Sequence, residues 1–278
     1  MELELRNVTV SYSSAEKILD NFNLEVNKGL FFGITGKSGS GKTTLLETIC
    51  GFHKPEMGQV LFNNQNIYEG KFDTVSFRKK VQMVFQFPEN QFFETDIRKE
   101  IEFGIKNTTL SSEDLNRRVT ETLQTVGLND NETEELSPFA LSGGQKRRLA
   151  LACALVLQPE ILLLDEPFSG LDNSGQNQII KILQNIKTKG TTILMVSHDP
   201  NVLCEIADRI IVMNDGRIIK NEIPPIVYSD KQFCSQLGIG QPDTITAANL
   251  LDVNLNNDFT YENFITKLAE KLLLKNND

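Results

Sequence analysis

A glycine-rich segment has the spacing of a phosphate-binding loop. Residues 36–43 have the sequence GKSGSGKT; they follow the apolar segment Leu30–Thr35 and precede a helix-like segment. Glycines at this spacing let backbone N–H groups turn toward phosphate oxygens, and the N-terminus of the following helix attracts negative charge. In such a loop Lys42 reaches the β- and γ-phosphates, and the Thr43 hydroxyl is a ligand for Mg²⁺. The motif therefore predicts binding of a nucleoside triphosphate.

A second candidate group is a pair of acidic residues at the end of an apolar strand. The segment Ile161–Asp165 is apolar up to its last residue, and Glu166 and Pro167 follow. Apolar strands are common, so this one alone would indicate only a core element. Beside a phosphate-binding loop, it predicts that Asp165 holds Mg²⁺ and that Glu166 orients and polarises a water molecule in line with the γ-phosphate.

The elements that must position these groups alternate between strand-like and helix-like segments, which indicates an α/β domain. We predict further strands at Leu3–Tyr12, Gln59–Phe62, Val81–Gln86, Thr191–Ser197 and Arg209–Val212. Helices are predicted to begin at Gly41, near Ser112, at Ser142 and near Asn173. The Asp215–Gly216 pair between two apolar runs predicts a hairpin.

Composition excludes several classes of protein. The chain has 278 residues, 40% of them hydrophobic, and a net charge of −9, which disfavours wrapping of nucleic acid. The longest apolar run, Leu149–Leu157, has nine residues, against about 18 for a membrane span. The first residues lack the basic and apolar regions of a signal peptide, so we expect a cytoplasmic chain that other chains hold at any membrane.

Two further residue groups could suggest other chemistry. The cysteines Cys50, Cys153, Cys204 and Cys234 lie far apart, which disfavours disulfides and zinc and favours a reducing compartment. The basic segment Lys146–Arg148 could suggest nucleic acid, but in the first turn of a helix it is expected to be a solvated face.

The segment Leu141–Gln145 has the sequence LSGGQ, directly before a predicted helix. Its Ser and Gly suit an N-capped turn, which would be the simplest interpretation. The sequence itself is the signature of the ATP-binding cassette (ABC) superfamily, which the chain resembles over about residues 1–225. The resemblance implies an α/β fold: a P-loop ABC ATPase core with an antiparallel β subdomain, a helical subdomain at about 87–155 and a small C-terminal domain at 226–278.

The resemblance also implies roles for residues outside the first two motifs. Tyr12 matches the aromatic residue that stacks on adenine, although it could be an ordinary strand aromatic. Gln86 matches the Q-loop glutamine that contacts Mg²⁺ and the attacking water, and His198 matches the switch histidine that senses the γ-phosphate. Residues 169–172 (SGLD) match the D-loop of the family, and Asp172 is its last residue. The other histidine, His53, lies in a Gly-rich turn and receives no role.

The predicted site then has three parts. The catalytic residues are Glu166, His198 and Gln86, and the ligands of Mg²⁺ are Thr43, Gln86 and Asp165. The contacts to ATP from the same chain are Tyr12, Gly36, Ser38, Gly39, Ser40, Gly41, Lys42, Thr43, Thr44 and Asp172. The signature residues, expected to close on the nucleotide of the other subunit, are Leu141, Ser142, Gly143, Gly144 and Gln145.

Three segments resemble the ATPases of energy-coupling-factor (ECF) transporters, which import vitamins and nickel or cobalt ions. They are residues 85–93 (FQFPENQFF), 102–107 (EFGIKN) and 144–152 (GQKRRLALA). The phenylalanines are either core residues or the lining of a groove for a cytoplasmic helix of the membrane partner, and their density favours the groove.

The resemblance predicts an ATP-hydrolysing subunit that powers a membrane importer of ECF type through ATP-driven dimer closure. Its expected partners are a second ATPase subunit, identical or different, and integral membrane transporter subunits, with no nucleic acid. Its expected place is the cytoplasmic face of the cell membrane, as a peripheral protein. The alternatives are an ABC ATPase of another transporter class, such as an exporter, or a non-transport ABC ATPase acting on nucleic acid or ribosomes.

The C-terminal segment has its own apolar stripe. A break at Pro224–Pro225 predicts a domain boundary, and the stripe consists of Phe264, Ile265, Leu268 and Leu272. The stripe either folds back on its own cassette or packs against the partner's tail. The resemblance to ECF ATPases favours the second, so residues 226–278 are predicted to be a dimerisation domain.

Overall fold

The computed structural model describes residues 2–13, 16–106, 108–128 and 136–275. Over these residues the strands are β1 (Leu3–Ser13), β2 (Glu16–Val26), β3 (Phe31–Gly36), β4 (Met57–Phe62), β5 (Gln65–Asn66), β6 (Val81–Val84), β7 (Ile161–Asp165), β8 (Thr192–Val196), β9 (Arg209–Asn214) and β10 (Arg217–Glu222). They form an antiparallel sheet of order β2-β1-β4-β5 and a mainly parallel sheet of order β10-β9-β3-β8-β7-β6. The predicted α/β class and the hairpin between β9 and β10 are confirmed.

The helices surround the two sheets. They are α1 (Lys42–Ile49), α2 (Thr74–Lys80), α3 (Ile97–Ile105), α4 (Ser112–Val126), α5 (Gly143–Leu155), α6 (Asn173–Thr188), α7 (Pro200–Ile206), α8 (Pro224–Tyr228), α9 (Lys231–Leu237), α10 (Asp243–Leu250) and α11 (Tyr261–Lys275). Short 3₁₀ turns occur at Pro88–Gln91 and Pro138–Ala140. Within these ranges, no helix is long and apolar enough to cross a membrane.

The parallel strands are apolar along their whole length because both faces of the sheet are covered. In β7, Leu162 and Leu164 point into a core with α3–α6, while Ile161 and Leu163 point into a second core with α1 and the antiparallel sheet. Successive side chains of a strand point to opposite faces, so one apolar run serves two cores. Because β3, β7 and β8 run parallel to one another, their carboxyl ends lie at the same edge of the sheet.

Strand β2 was not among the predicted elements, and its backbone gives the reason. Asn21 has φ +49°, and the pairing of β1 with β2 shifts register several times. Irregular pairing interrupts the alternation of apolar and polar residues by which a strand is recognised. Strand β6 ends at Val84 rather than at the predicted Gln86, which therefore lies in the following loop.

The segment after Pro225 packs against the cassette. Val227, Tyr228, Cys234 and Ile239 are buried in the same core as the parallel sheet. The boundary predicted at Pro224–Pro225 and the dimerisation role of residues 226–278 remain predictions, but apolar contacts cross that position.

Hydrogen bonds also join the tail to α7. Asp243 N donates to Asn201 Oδ1 (2.8 Å), and Asn201 Nδ2 donates to Asp243 Oδ2 (3.1 Å). Asn201 lies three positions after His198 in the sequence. This reciprocal pair therefore fixes the start of α10 to the segment that follows the predicted switch histidine.

The predicted apolar stripe of α11 divides in the structure. Phe264 is buried in a small cluster with Ala248 and Leu255, and Leu268 packs against that cluster. Ile265 and Leu272 are exposed. The described part of the tail thus buries half of the stripe and presents the other half on its surface.

We expect Tyr228→Ala to lower the melting temperature (Tm) of the nucleotide-free protein by about 10 °C. Tyr228 is 0% exposed in the cassette core, and removal of a buried aromatic ring costs about 3–5 kcal/mol, which a chain of this size shows as a drop of roughly this extent. The matched control is Tyr261→Ala, because Tyr261 is 66% exposed in the same tail. Thermal unfolding followed by circular dichroism compares the two. An unchanged Tm in Tyr228→Ala would show that the tail does not stabilise the cassette.

Candidate active site

The phosphate-binding loop connects β3 to α1, and two of its glycines are sterically required. Gly36 has φ +142° and Gly41 has φ +93°. A Cβ atom at Gly36 would lie 2.0 Å from the Met213 carbonyl oxygen, and one at Gly41 would lie 2.7 Å from the Ile18 carbonyl oxygen. Only glycine combines these backbone angles with such close approach. The loop therefore lies tightly against β9 and β2.

The buried side chain of Lys42 folds over this loop. Its Nζ donates to the carbonyl oxygens of Gly36 (2.9 Å) and Lys37 (2.8 Å). Burial lowers the pKa of the Lys42 ammonium, while the nearby carboxyl groups of Glu166 and Asp165 act in the opposite direction. The loop thus holds a positive charge beside the two predicted acids.

Two of the three predicted protein ligands of Mg²⁺, Thr43 and Asp165, lie in direct contact. Thr43 Oγ1 donates to Asp165 Oδ2 at 2.8 Å, so the start of α1 and the end of β7 meet at the sheet edge. Burial raises the pKa of Asp165, and the Thr43 hydrogen bond and the charges of Lys42 and His198 partly oppose this. A hydroxyl and a carboxylate are the oxygen ligands that Mg²⁺ prefers, so the residues present fit that ion.

Glu166 has an unusual backbone and an unusual electrostatic environment. Its φ is +47°, which is rare for a residue with a side chain. Burial, together with the adjacent Asp165, raises the pKa of the Glu166 carboxyl to about 7. Its Oε1 is buried and has no hydrogen-bond partner among the described residues. A carboxyl group in this state is suited to accept a proton near neutral pH.

His198 lies opposite this carboxyl group. Its Nε2 is 3.4 Å from Glu166 Oε1. Burial, and then the charge of Lys42, lower the pKa of the His198 imidazole, although Asp165 opposes them. The neutral imidazole is therefore favoured here, and it can donate or accept a hydrogen bond beside the predicted base.

Most of the predicted nucleotide-contacting and catalytic residues line one cleft of about 520 Å³. Those brought together are Tyr12, Ser38, Gly39, Gly41, Lys42, Thr43, Thr44, Gln86, Asp165, Glu166 and His198. Gly36 and Ser40 belong to the same loop but do not line the cleft.

The signature segment and Asp172 also lie outside this cleft. Ser142 and Gln145 form a capping box at the start of α5, in which Gln145 N donates to Ser142 Oγ (3.3 Å) and Ser142 N donates to Gln145 Oε1 (2.9 Å). A Cβ at Gly143 would meet no described heavy atom within 4 Å. Asp172 Oδ1 accepts from Gly175 N (2.8 Å) and caps α6. Within the described chain these residues have structural contacts only.

The prediction that Lys146–Arg148 form a solvated face is wrong for Arg147, which is buried. Its guanidinium donates to the carbonyl oxygens of Gln86 and, at 3.3 Å, of Ser169. Helical spacing could have indicated this, because Arg147 lies four positions before the buried Leu151. Arg147 therefore links α5 to the loop of Gln86 and to the segment after Glu166.

His53, which received no role from the sequence, lies beside the predicted base-stacking residue Tyr12. The rings of His53 and Tyr12 have centroids 5.1 Å apart and lie edge to face. The next residue toward the N-terminus, Phe52, stacks on Phe85 with centroids 5.9 Å apart. Neither contact could be predicted from sequence, because both join segments that are distant along the chain.

The comparison with known families agrees with these observations. Residues 19–169 match the family model described as ABC transporter. A protein of Clostridium tetani named energy-coupling factor transporter ATP-binding protein EcfA2 is 37% identical over 99% of this chain and 97% of its own length. The protein of Methanothermobacter thermautotrophicus named energy-coupling factor transporter ATP-binding protein EcfA is 33% identical over 96% of this chain and 88% of its own length.

Two solved structures resemble the fold closely. The structure of cbiO1 from Clostridium perfringens, described as part of the ABC transporter complex cbiONQ, has a TM-score of 0.77 and 30% identity over 90% of this chain and 98% of its own. The ATP-binding cassette MJ0796, a dimer in a post-hydrolysis state with ADP and Pi, has a TM-score of 0.72 and 32% identity over 80% of this chain and 98% of its own. The chain belongs to the ABC transporter family and, within it, to the ATP-binding proteins of energy-coupling factor transporters.

Proposed function

We propose that this chain hydrolyses ATP to power an importer of the energy-coupling-factor type and that Glu166 is its general base. The environment of Glu166 carries the proposal. Its carboxyl group is buried beside Asp165, has a pKa near 7 and has a buried Oε1 without a hydrogen-bond partner among the described residues. Such a group is poised to take a proton from a water molecule in the cleft.

The proposed reaction assigns each proton and bond. Glu166 accepts a proton from water while the water oxygen forms a bond to the γ-phosphorus. The bond from that phosphorus to the β–γ bridging oxygen breaks, which gives ADP and phosphate. Lys42 stabilises charge on the phosphate oxygens, and His198 holds the γ-phosphate and the water in place. Mg²⁺, held by Thr43, Asp165 and Gln86, would neutralise part of the phosphate charge.

The other predicted residues are proposed to bind ATP, either in this chain's own cleft or in that of a second subunit. Tyr12 supports the base, and the loop of Ser38–Gly41 surrounds the phosphates with backbone N–H groups. The signature segment Leu141–Gln145 and Asp172 serve the site of a second subunit. Their position outside the chain's own cleft supports this, as does the open space at Gly143.

Two exposed apolar surfaces support the proposed partners. Phe93 and Phe103 are exposed with ring centroids 4.7 Å apart, beside a cavity of about 190 Å³ between β6, α3 and α5. We assign this surface to a cytoplasmic helix of an integral membrane subunit, which would place the chain peripherally on the cytoplasmic face. The exposed Leu250, Leu272 and Leu273 of the tail are assigned to contact with the second ATPase subunit.

Glu166→Gln is expected to retain ATP binding and to lower the hydrolysis rate by about 10²–10⁴-fold, because the amide keeps the shape but cannot accept the proton. The contrasting variant is Lys42→Ala, which should lose nucleotide binding. Radiolabelled-ATP binding and single-turnover hydrolysis separate the two effects. Normal turnover in Glu166→Gln would refute the assignment of Glu166 as the base.

Gly143→Asp should leave ATP binding by the isolated chain unchanged and abolish hydrolysis, because the added carboxylate faces the partner's phosphates. In a mixture, Lys42→Ala chains supply an intact signature to the intact loop of Gly143→Asp chains. If two copies of this chain pair with each other, the mixture should regain part of the ATP hydrolysis activity. If the chain pairs with a different subunit, that subunit replaces the Lys42→Ala chain in the mixture. Weaker ATP binding by isolated Gly143→Asp chains would contradict a site shared between subunits.

The raised pKa of Glu166 predicts a pH-dependent cost in stability. The ordinary pKa of glutamate is 4.5 and the folded value is about 7, so the folded state binds the proton more tightly. Stability therefore falls as pH rises from about 4.5 to 7. Glu166→Gln should stabilise the nucleotide-free protein by about 1–3 kcal/mol at pH 8 and by much less at pH 5.

Urea unfolding at the two pH values measures this difference, with the exposed Glu56→Gln as the matched control. An equal effect of Glu166→Gln at both pH values would show that the Glu166 carboxyl is not destabilised by its surroundings.

A further inference from the structure

The Tyr12 ring is surface-exposed, yet its hydroxyl is anchored. The side chain is 60% exposed. Its hydroxyl lies 3.0 Å from Thr44 Oγ1, donates to Glu47 Oε2 at 3.3 Å and lies 3.3 Å from His53 Nε2. An exposed aromatic ring would otherwise change its orientation freely, so these contacts select one orientation of the ring.

The side chains of Tyr12, Glu47 and His53 have complementary hydrogen-bonding roles. His53 Nε2 lies 3.0 Å from Glu47 Oε2. The Glu47 carboxylate can only accept a hydrogen bond, so His53 Nε2 carries a hydrogen atom and acts as the donor in this contact. The Tyr12 hydroxyl donates to the same oxygen, and it can accept from the Thr44 hydroxyl. Glu47 is thus the shared acceptor that joins Tyr12 to His53.

Both supporting residues are themselves held in place. Glu47 lies on α1, three positions after Thr44 and on the same side of the helix. The Tyr68 hydroxyl donates to the His53 carbonyl oxygen at 2.5 Å and lies 3.0 Å from the Thr48 carbonyl oxygen. The support behind Tyr12 is therefore built from a helix and a fixed turn.

The support is separate from the surface that receives the nucleotide. Tyr12 and Thr44 line the 520 Å³ cleft, whereas Glu47 and His53 do not. Both lie within hydrogen-bond distance of the Tyr12 hydroxyl, and the His53 ring is also steeply inclined to the Tyr12 ring. Their hydrogen-bond contacts therefore reach a ligand in the cleft through Tyr12.

We propose that Glu47 and His53 are positioning residues for the base of the nucleotide, which hold the Tyr12 ring ready for stacking before ATP binds. The inference rests on the proposed contact between Tyr12 and the base. Immobilising a side chain during binding costs affinity, and a ring that is already fixed avoids that cost. The support should therefore strengthen binding of ATP and leave binding of a triphosphate without a base unchanged.

The experiment measures the affinities of the full chain for MgATP and for magnesium tripolyphosphate by isothermal titration calorimetry. His53→Ala, Glu47→Ala and Tyr12→Phe should each weaken ATP binding about fivefold, as expected for loss of one hydrogen bond. None should change tripolyphosphate binding. The double variant Tyr12→Phe/His53→Ala should bind ATP no more weakly than the weaker single variant, because each single change already interrupts the set of hydrogen bonds that joins Tyr12 to His53 through Glu47.

Two controls separate positioning from a general structural role. His53→Gln keeps a donor toward Glu47 and should recover part of the ATP affinity, while Lys54→Ala, exposed and adjacent, should match the unaltered chain. A His53→Ala chain that binds both ligands equally more weakly, or both as well as before, overturns the inference.

Tyr12→Ala distinguishes this inference from the function it rests on. If Tyr12→Ala does not change the preference for ATP over tripolyphosphate, the proposed contact between Tyr12 and the base is wrong. If Tyr12→Ala reduces that preference while His53→Ala and Glu47→Ala do not, the base contact stands and only the positioning role is refuted.

Discussion

Two adjacent carboxyl groups, Asp165 and Glu166, are held largely out of water at the edge of the parallel sheet. The structure around them must offset the cost of burying two acidic groups side by side. Desolvation raises the pKa of both groups. The ammonium of Lys42 and the hydroxyl of Thr43 offset part of this cost, and both residues lie at the start of α1, directly after the loop that follows β3. Strands β3 and β7 must therefore run in the same direction, because only then do their carboxyl ends lie at the same edge of the sheet.

The helical region is tied to this edge by one buried cation. Arg147 leaves α5 and reaches backbone carbonyl oxygens on either side of the site, at Gln86 and Ser169. Because Arg147 binds backbone carbonyl oxygens, its hydrogen bonds hold the backbones of Gln86 and Ser169 in place and leave their side chains unconstrained. Gln86 remains free to face the cleft while its backbone is held.

The parts of the site that could be predicted are those in which neighbouring residues act together. The sequence around Gly41 and the acids after Ile161 are contiguous, and their chemistry is visible from type and spacing. The predicted strand at Ile161–Asp165 is confirmed to the residue. Arg147 was wrongly predicted to face solvent because its partners, Gln86 and Ser169, lie far away in the chain. His53 received no predicted role because its contact with Tyr12 also joins distant segments.

The paired hydrogen bonds between Asn201 and Asp243 connect the tail to the segment that follows the predicted switch histidine, His198. Asn201 lies on the short helix that starts two residues after His198. A movement of His198 that carries this helix with it also moves the start of α10. Any neighbouring subunit that grips the tail would consequently register the hydrolysis cycle as a displacement at its own surface, far from the bound nucleotide.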